Sequence, residues 1–334
     1  SITYNLIQAV RNGIYYRGAN IAGMQDQNVY IGYNTIGGDV PTGQLSSTTY
    51  VGGAQSQAGI LLKSISSSFI EGNTIRNSVS SGSYYDFRGI DVVDLGEAGR
   101  DTNLYIMSNK IYNLTSNSLS NVGIRINLGS DSIRTILVYN NYIGKIYGTG
   151  AGAAFSIYNP CGIMVDATAV VKNLGVEMYY NTVQLTGNPL TGASSSTCLY
   201  LGANVQGGIK VQNNLLVNRM GRTSAFNGTA FAIASGVAAG IQPFTLINNN
   251  VYFSGALNTN NFLGYGNGGV SMPSLGNNTT SGTWRFFSQQ DANSYWNGVN
   301  FLNDTMPNLQ VATAGPVTYG GAQIPTIISD IYGT

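Results

Sequence analysis

Few side chains in this sequence are able to do acid–base or metal chemistry. The charged constellation in its repeated segments consists of Asp91, Arg125 and Asp166, with Lys63 nearby. Asp91 and Arg125 take equivalent positions in consecutive repeats, so the simplest interpretation is a cross-strand ion pair. The competing interpretation is a catalytic or Ca²⁺-binding group made of the same four residues. Two carboxylates are a thin shell for Ca²⁺, which takes about six to eight oxygen ligands, and this favours the ion pair.

The composition removes several kinds of site. The chain of 334 residues has no His, and His is the most common general base and a frequent zinc ligand. A Ser or Cys nucleophile would therefore lack the imidazole that usually activates it. The formal charge is only +1, so we expect no basic surface for nucleic acid or anionic lipid. No run of about 20 apolar residues occurs, and no membrane span is expected.

A short recurring phrase must position the charged residues. It consists of an apolar residue, two spacers, an Asn, one spacer and a second apolar residue, as in 138–143. Its Asn recurs at Asn34, Asn73, Asn109, Asn141, Asn181, Asn214 and Asn249. The six steps average about 36 residues, and self-similarity at a period of about 20–50 residues indicates a solenoid.

Each repeat also contains a short apolar segment that is usually led by Gly. Its copies begin at Gly13, Gly59, Gly89, Gly123 and Gly162, with degenerate copies at Cys198 and Ala230. The apolar alternation predicts half-buried strands, with no competing helical period. Apolar residues three before and two after the Asn both face inward only if the chain bends at the Asn, which tolerates the left-handed conformation. Stacked in consecutive coils, the Asn amides would form a hydrogen-bonded ladder.

Three short strands per turn and one repeat per coil predict an all-β fold, a right-handed parallel β-helix of about seven coils. The coils are expected in residues 1–254. The phrase then stops, and the segment 255–334, which holds both Trp, is expected to be an irregular cap packed on the solenoid. The longer connections are expected to emerge along one edge, at 37–58, 77–88, 113–122, 144–161, 184–197 and 217–229.

Tyrosines on the Gly-led strands and along the loop edge are the candidate binding residues. Exposed Tyr rings stack on sugars and suit adaptable interfaces. The candidates are Tyr15, Tyr84, Tyr85, Tyr147, Tyr158 and Tyr200. Cys161 and Cys198 lie about one repeat apart, but the register sets Cys161 level with Thr197. A disulfide and two separate semi-buried thiols therefore both stay open.

The repeats resemble the pectin-lyase-like right-handed parallel β-helix. In the tail, the order of 248–253, Trp284, 289–294, 308–311 and 328–334 is similar to the end of β-helix regions in large secreted proteins of Bacteroidetes-type bacteria. That resemblance implies export by the type IX secretion system, and O-glycosylation at Ser132 and Thr305. Many β-helices of this kind cleave acidic polysaccharides, which implies a lyase alternative that uses bound Ca²⁺ and an Arg or Lys base.

The expected function is a non-catalytic extracellular module of a cell surface, adhesive or structural, acting as a stalk or an assembly subunit. Its expected partners are an extracellular glycan, other surface proteins or further copies of itself, without a cofactor or resident metal. The alternative is a polysaccharide lyase or hydrolase on the outward face around Asp91 and Arg125, with Asp166 and Lys63 nearby and Ca²⁺ required only by the lyase. A hydrolase needs two carboxyl groups about 5–9.5 Å apart, whereas Asp91 and Asp94 would face opposite sides of one extended strand.

Overall fold

The structure is a computed structural model. It describes residues 1–8, 10, 12–38, 45–46, 57–80, 87–93, 102–116, 121–129, 135–148, 160–187, 195–220, 229–255, 261–296, 299, 301 and 324. In these residues nearly all regular structure is strand, and every strand except Val270–Met272 pairs in parallel with a strand of a neighbouring repeat. The parallel β-helix predicted from the repeats is therefore confirmed.

The strands form three sheets. The first sheet contains Ile2–Thr3, Tyr30–Gly32, Ile65–Glu71, Thr102–Met107, Ile136–Tyr139, Val176–Tyr179, Ile209–Gln212 and Phe244–Asn248, with Asp26–Gln27 beside Ile65–Glu71. The second contains Leu6–Ile7, Thr35–Ile36, Thr74–Ser80, Lys110–Ser116, Tyr142–Gly148, Thr182–Gly187, Leu215–Met220, Val251–Ser254 and Tyr295–Trp296, with Leu45–Ser46 beside Thr74–Ser80. The third contains Ile14–Arg17, Gln57–Lys63, Phe87–Val93, Val122–Leu128, Cys161–Ala167, Ser196–Leu201, Ala230–Ser235, Asn261–Gly266 and Val270–Met272.

The core lies between the three sheets and repeats with the phrase. Ile70 and Ile75, which flank one Asn of the phrase, are both fully buried and stack in register on Ile106 and Ile111 of the next coil. Burial of an Ile side chain contributes about 1.5–3 kcal/mol. Since the same pair recurs in every coil, the inward columns predicted from the sequence supply most of the stabilisation of the solenoid.

The bend is made by the residue before the Asn of the phrase, which corrects the expectation that the Asn itself is left-handed. The residues with positive φ at this position are Tyr4, Tyr33, Gly72, Ser108, Asn140, Tyr180, Asn213 and Asn249. A left-handed conformation costs about 1–2 kcal/mol for a residue with a Cβ. The Asn that follows each bend holds the turn in place through the hydrogen bonds described below.

The leading Gly of the third-sheet strands is required by a close approach of the chain. A Cβ at Gly89 would lie 2.4 Å from the carbonyl oxygen of Gly123 and 2.5 Å from Cγ2 of Ile111. The register also corrects the last copy of this strand, because Leu199 pairs with Ile233. The position equivalent to the leading Gly is therefore Ala232, two residues after Ala230, which the pattern indicated.

The C-terminal end of the solenoid is closed by residues 261–296. Asn261–Gly266 adds a parallel strand to the third sheet and Val270–Met272 pairs with it antiparallel, so regular stacking continues past residue 254. Trp284, in the helix Trp284–Ser288, is fully buried, and its Nε1 donates to Oδ2 of Asp291 at 2.8 Å. Tyr252 of the last coil donates to the same oxygen at 2.7 Å. The carboxylate of Asp291 therefore links the cap to the last coil by hydrogen bonds to both side chains.

Candidate functional site

The Asn ladder is confirmed, and it runs through eight coil positions. Its members are Asn5, Asn34, Asn73, Asn109, Asn141, Asn181, Asn214 and Asn250. In each step the Nδ2 of one Asn donates to the Oδ1 of the next at 2.9–3.1 Å. The backbone N–H of the same residue donates to that Oδ1 as well. Every amide is engaged with the scaffold, so the ladder is structural.

Asn249 is not a member of the ladder, and Asn250 takes the place that the sequence assigned to it. The pairing between the last two strands of the first sheet shifts between Ile209 and Lys210. As a result Ile247 and Tyr252, which lie three before and two after Asn250, are the fully buried residues. The first member, Asn5, was also missed, although it lies in the same phrase between Ile2 and Ile7.

Asp91 and Arg125 form a bidentate ion pair on the third sheet. They lie in register on adjacent coils, and Nε and Nη2 of Arg125 donate to the two carboxylate oxygens, both at 2.8 Å. Asp91 is only 1% exposed. Such a pair is stronger than the surface bridge expected from the sequence, because removal of one partner leaves a buried charge unmatched. Two guanidinium nitrogens held in this way leave Arg125 poorly placed to act as a base.

The other two residues of the charged group are peripheral to this pair. Asp166 lies in register with Asn127, one coil beyond Arg125, and its Oδ1 accepts from the backbone N–H of Ala167 at 2.8 Å. Burial raises the pKa of Asp166, while the charge of Arg125 acts in the opposite direction. Lys63 lies in register with Arg17 in the first coils. Within the described residues, no three or more Asp, Glu or Cys side chains are grouped so that they could hold a metal ion.

The candidate tyrosines do not share one surface. Tyr15 is 55% exposed, Tyr200 is 4% exposed, and Tyr147 is half-buried in the second sheet. The remaining candidates fall outside the described residues, as do both glycosylation candidates: Tyr84, Tyr85, Tyr158, Ser132 and Thr305. Of the candidate tyrosines that the structure describes, only Tyr15 therefore offers an open ring.

Stacked aromatic rings occur instead on the first sheet, away from the Gly-led strands and the loop edge. Phe69 and Tyr105 of adjacent coils stack with centroids 4.7 Å apart and planes at 12°. Tyr4 and Tyr33 stack in the same way at 5.4 Å and 10°. The first pair has a signal in the sequence, because Phe69 and Tyr105 each lie four residues before an Asn of the phrase. Because stacked rings cover each other's faces, they stabilise the coils more than they offer a platform to a sugar.

Exposed apolar side chains are concentrated in the first coil. Of the nine large apolar side chains that are exposed in the described residues, six lie in residues 1–33: Tyr4, Leu6, Tyr15, Ile21, Met24 and Tyr33. The strands Ile2–Thr3, Leu6–Ile7 and Ile14–Arg17 are each the last member at that end of their sheet. Periodicity could not show this surface, because the same phrase is buried in the interior coils.

Cys161 and Cys198 are both buried free thiols. Cys161 pairs with Thr197, as the register predicted. Cys198 packs in the main core, whereas Cys161 packs in a separate cluster on the other face of the third sheet, with Val122 and Met164. Burial raises the pKa of both thiols, so neither is suited to nucleophilic chemistry.

A shallow depression of about 220 Å³ lies beside the first sheet, where Gly175 and Gly208 leave room. Glu177 and Lys210 line it and form an ion pair at 2.7 Å. Tyr179 donates to the second carboxylate oxygen of Glu177 at 2.7 Å. These contacts occupy both carboxylate oxygens of Glu177.

Comparison with protein-family models, with curated proteins and with solved structures found no match to this chain. Among the described residues, no helix has the length and apolar character needed to cross a lipid bilayer.

Proposed function

We propose that the chain is a non-catalytic extracellular module of a cell surface, adhesive or structural, that works by contact through the ends of its solenoid. The observation that carries this proposal is the cluster of exposed apolar side chains in the first coil, at the end of the molecule opposite the cap. Clustered apolar surface is typical of sites where proteins associate. The charged group on the third sheet gives less support to chemistry, because its Arg is held by a buried carboxylate.

The first partner to consider is a second copy of the chain. An identical copy presents the same exposed apolar side chains in return, as an isologous dimer requires. A formal charge of +1 gives little repulsion between copies. The cap covers the opposite end, since Ser294 accepts from the backbone N–H of Asn250 and Tyr295 donates to the carbonyl oxygen of Asn250. Association through this one apolar surface therefore gives a dimer and not a filament.

Light scattering over a dilution series tests this proposal. The wild-type chain is expected to show twice the monomer mass at high concentration and to dissociate on dilution. The double variant Leu6→Ser, Met24→Ser changes two exposed side chains and is expected to remain monomeric. Val270→Ser, an exposed apolar position in the cap, is the matched control and should associate like the wild type. A wild-type chain that is monomeric at every concentration would refute self-association.

The context of a large secreted protein of Bacteroidetes-type bacteria, exported by the type IX secretion system, remains part of the proposal. It is supported by the order of motifs in the tail and by a surface that relies on Asn, Ser, Thr and Tyr with only 9% charged residues. The precursor tests it directly. A signal peptide and a sorting domain in the same polypeptide would support the proposed location, and a cytoplasmic precursor without them would overturn it.

A further inference from the structure

A cleft that no sequence pattern indicated lies where the cap meets the last coil. It has a volume of about 240 Å³ and is lined by Gly240, Ile241, Gln242, Asn267, Phe286, Phe287 and Gln289. Clefts for drug-sized ligands measure about 300–1,000 Å³, so this one suits a smaller group, of the size of a single sugar ring. Ile241 and the two Phe side chains make an apolar wall, while three amide side chains supply the polar groups.

The amide of Gln242 is fully used in bonds to the wall of the cleft. Asn267 and Gln289 each keep one amide atom without a hydrogen-bond partner among the described residues. Nε2 of Gln242 donates to the carbonyl oxygen of Phe287 at 3.0 Å, and its Oε1 accepts from the backbone N–H of Phe244 at 3.1 Å. Oδ1 of Asn267 accepts from the backbone N–H of Gly240 at 3.2 Å, which leaves its Nδ2 with no hydrogen-bond partner among the described residues. Nε2 of Gln289 is bonded to the carbonyl oxygen of Phe286, and its Oε1 has no described partner. The cleft thus combines a free donor with a free acceptor.

The lining also excludes charged ligands. None of its seven residues carries a charge, and a bound carboxylate or ammonium group would lose its hydration without an opposite charge to replace it. A sugar hydroxyl both donates and accepts, so it can use the Nδ2 of Asn267 and the Oε1 of Gln289 together. The apolar face of a pyranose ring matches an aromatic wall such as Phe286.

We propose that this cleft binds one ring of a neutral sugar, the terminal residue of an extracellular glycan. This inference rests on the proposed function as a surface module, and it adds a second contact site at the end opposite the self-association surface. The site would bind weakly, because it holds a single ring and is open to solvent on one side. Multiple copies on a cell surface would add to the overall affinity through multivalency.

Saturation-transfer NMR on the full chain tests the proposal. The probes are the methyl glycosides of glucose, galactose and mannose, and N-acetylglucosamine, with galacturonic acid as the charged probe and N-acetylglutamine amide as a peptide-like probe. At least one neutral sugar is expected to receive saturation and to bind with a Kd in the millimolar range, about 4 kcal/mol of binding free energy. Binding of galacturonic acid or the amide probe in preference to every neutral sugar would overturn the inference, and so would the absence of any sugar signal.

Two variants locate the site. Phe286→Ala removes a half-buried ring from the wall, and Asn267→Asp keeps the accepting Oδ1 but replaces the free donor. Each is expected to weaken sugar binding at least tenfold, whereas Val170→Ala, at an exposed position away from the cleft, should leave it unchanged. Fluorescence of the buried Trp284 and the melting temperature show whether each variant keeps its cap. A folded Phe286→Ala chain that binds sugar as well as the wild type would refute the site. The result is independent of self-association, because mass is measured separately in the same samples.

Discussion

Substitution of Asn109 by Ala is the sharpest perturbation of the scaffold. The side chain is fully buried and makes four hydrogen bonds. Its Oδ1 accepts from the backbone N–H and the Nδ2 of Asn73, both at 3.0 Å. Its Nδ2 donates to the carbonyl oxygen of Ile70 at 2.8 Å and to Oδ1 of Asn141 at 3.0 Å. Ala removes all four and leaves the partners buried.

The expected cost follows from these contacts. Each buried hydrogen bond contributes about 1 kcal/mol net, so Asn109→Ala should lower the free energy of unfolding by about 4 kcal/mol. Asn5 is the matched control in the same ladder. Its side chain is exposed and makes two hydrogen bonds, to the carbonyl oxygen of Thr3 and to Oδ1 of Asn34. Asn5→Ala should therefore cost less than about 1 kcal/mol.

Urea denaturation measures both variants. Circular dichroism reports the coils and the fluorescence of Trp284 reports the cap, so loss of two-state behaviour in the solenoid would appear as two separate transitions. If Asn109→Ala costs no more than Asn5→Ala, the ladder contributes little to stability and the reasoning from buried hydrogen bonds is wrong.

Three further predictions concern the third sheet. Gly89→Ala should destabilise the chain by about 1–3 kcal/mol in thermal unfolding, because its Cβ would meet a backbone carbonyl; an unchanged melting temperature would contradict the close approach. Arg125→Met should cost about 2–3 kcal/mol by leaving the carboxylate of Asp91 buried and unmatched. A double variant with Asp91→Asn should recover part of that loss, and strictly additive costs would argue against the pair. Burial raises the pKa of Asp166, so its stabilising contribution is fully present below the ordinary Asp pKa of about 3.9 and is lost as the pH rises through the folded pKa. Asp166→Asn should therefore melt higher than the wild type at pH 7 and lose this advantage at pH 3, and an equal difference at both pH values would contradict the shift.

The repeated phrase was sufficient to predict the fold, the inward columns and the ladder, because each of them recurs at every coil. It was not sufficient where the sequence allows two registers. The run Asn248, Asn249, Asn250 fits the phrase twice, and only the shift in strand pairing selects Asn250. The position of the bend was likewise missed. Several residue types take the left-handed conformation there, among them Tyr33 and Ser108. Because these residue types differ, the sequence has no recurring residue that marks the bend.

The candidate site was harder to predict than the scaffold. The outward columns correctly paired Asp91 with Arg125, because parallel coils keep a simple register. The outward columns did not predict that Asp91 and Tyr200 are buried and therefore inaccessible. The repeats did not indicate the exposed surface of the first coil, because Ile21 and Met24 lie outside the phrase. The cap cleft depends on three residues with positive φ, Gly240, Asn267 and Gln289, which lie far apart in the sequence and in no repeat.

Hydrogen–deuterium exchange at low and high protein concentration tests the central claim, that this chain acts by contact through the exposed apolar surface of its first coil. Amides of Leu6–Ile7 and Ile14–Arg17 are expected to exchange more slowly at high concentration, because a second copy covers the exposed side chains of these strands. Amides of Val270–Met272 in the cap should exchange at the same rate at both concentrations. Exchange in the first coil that does not depend on concentration, or protection confined to the cap, would contradict the claim.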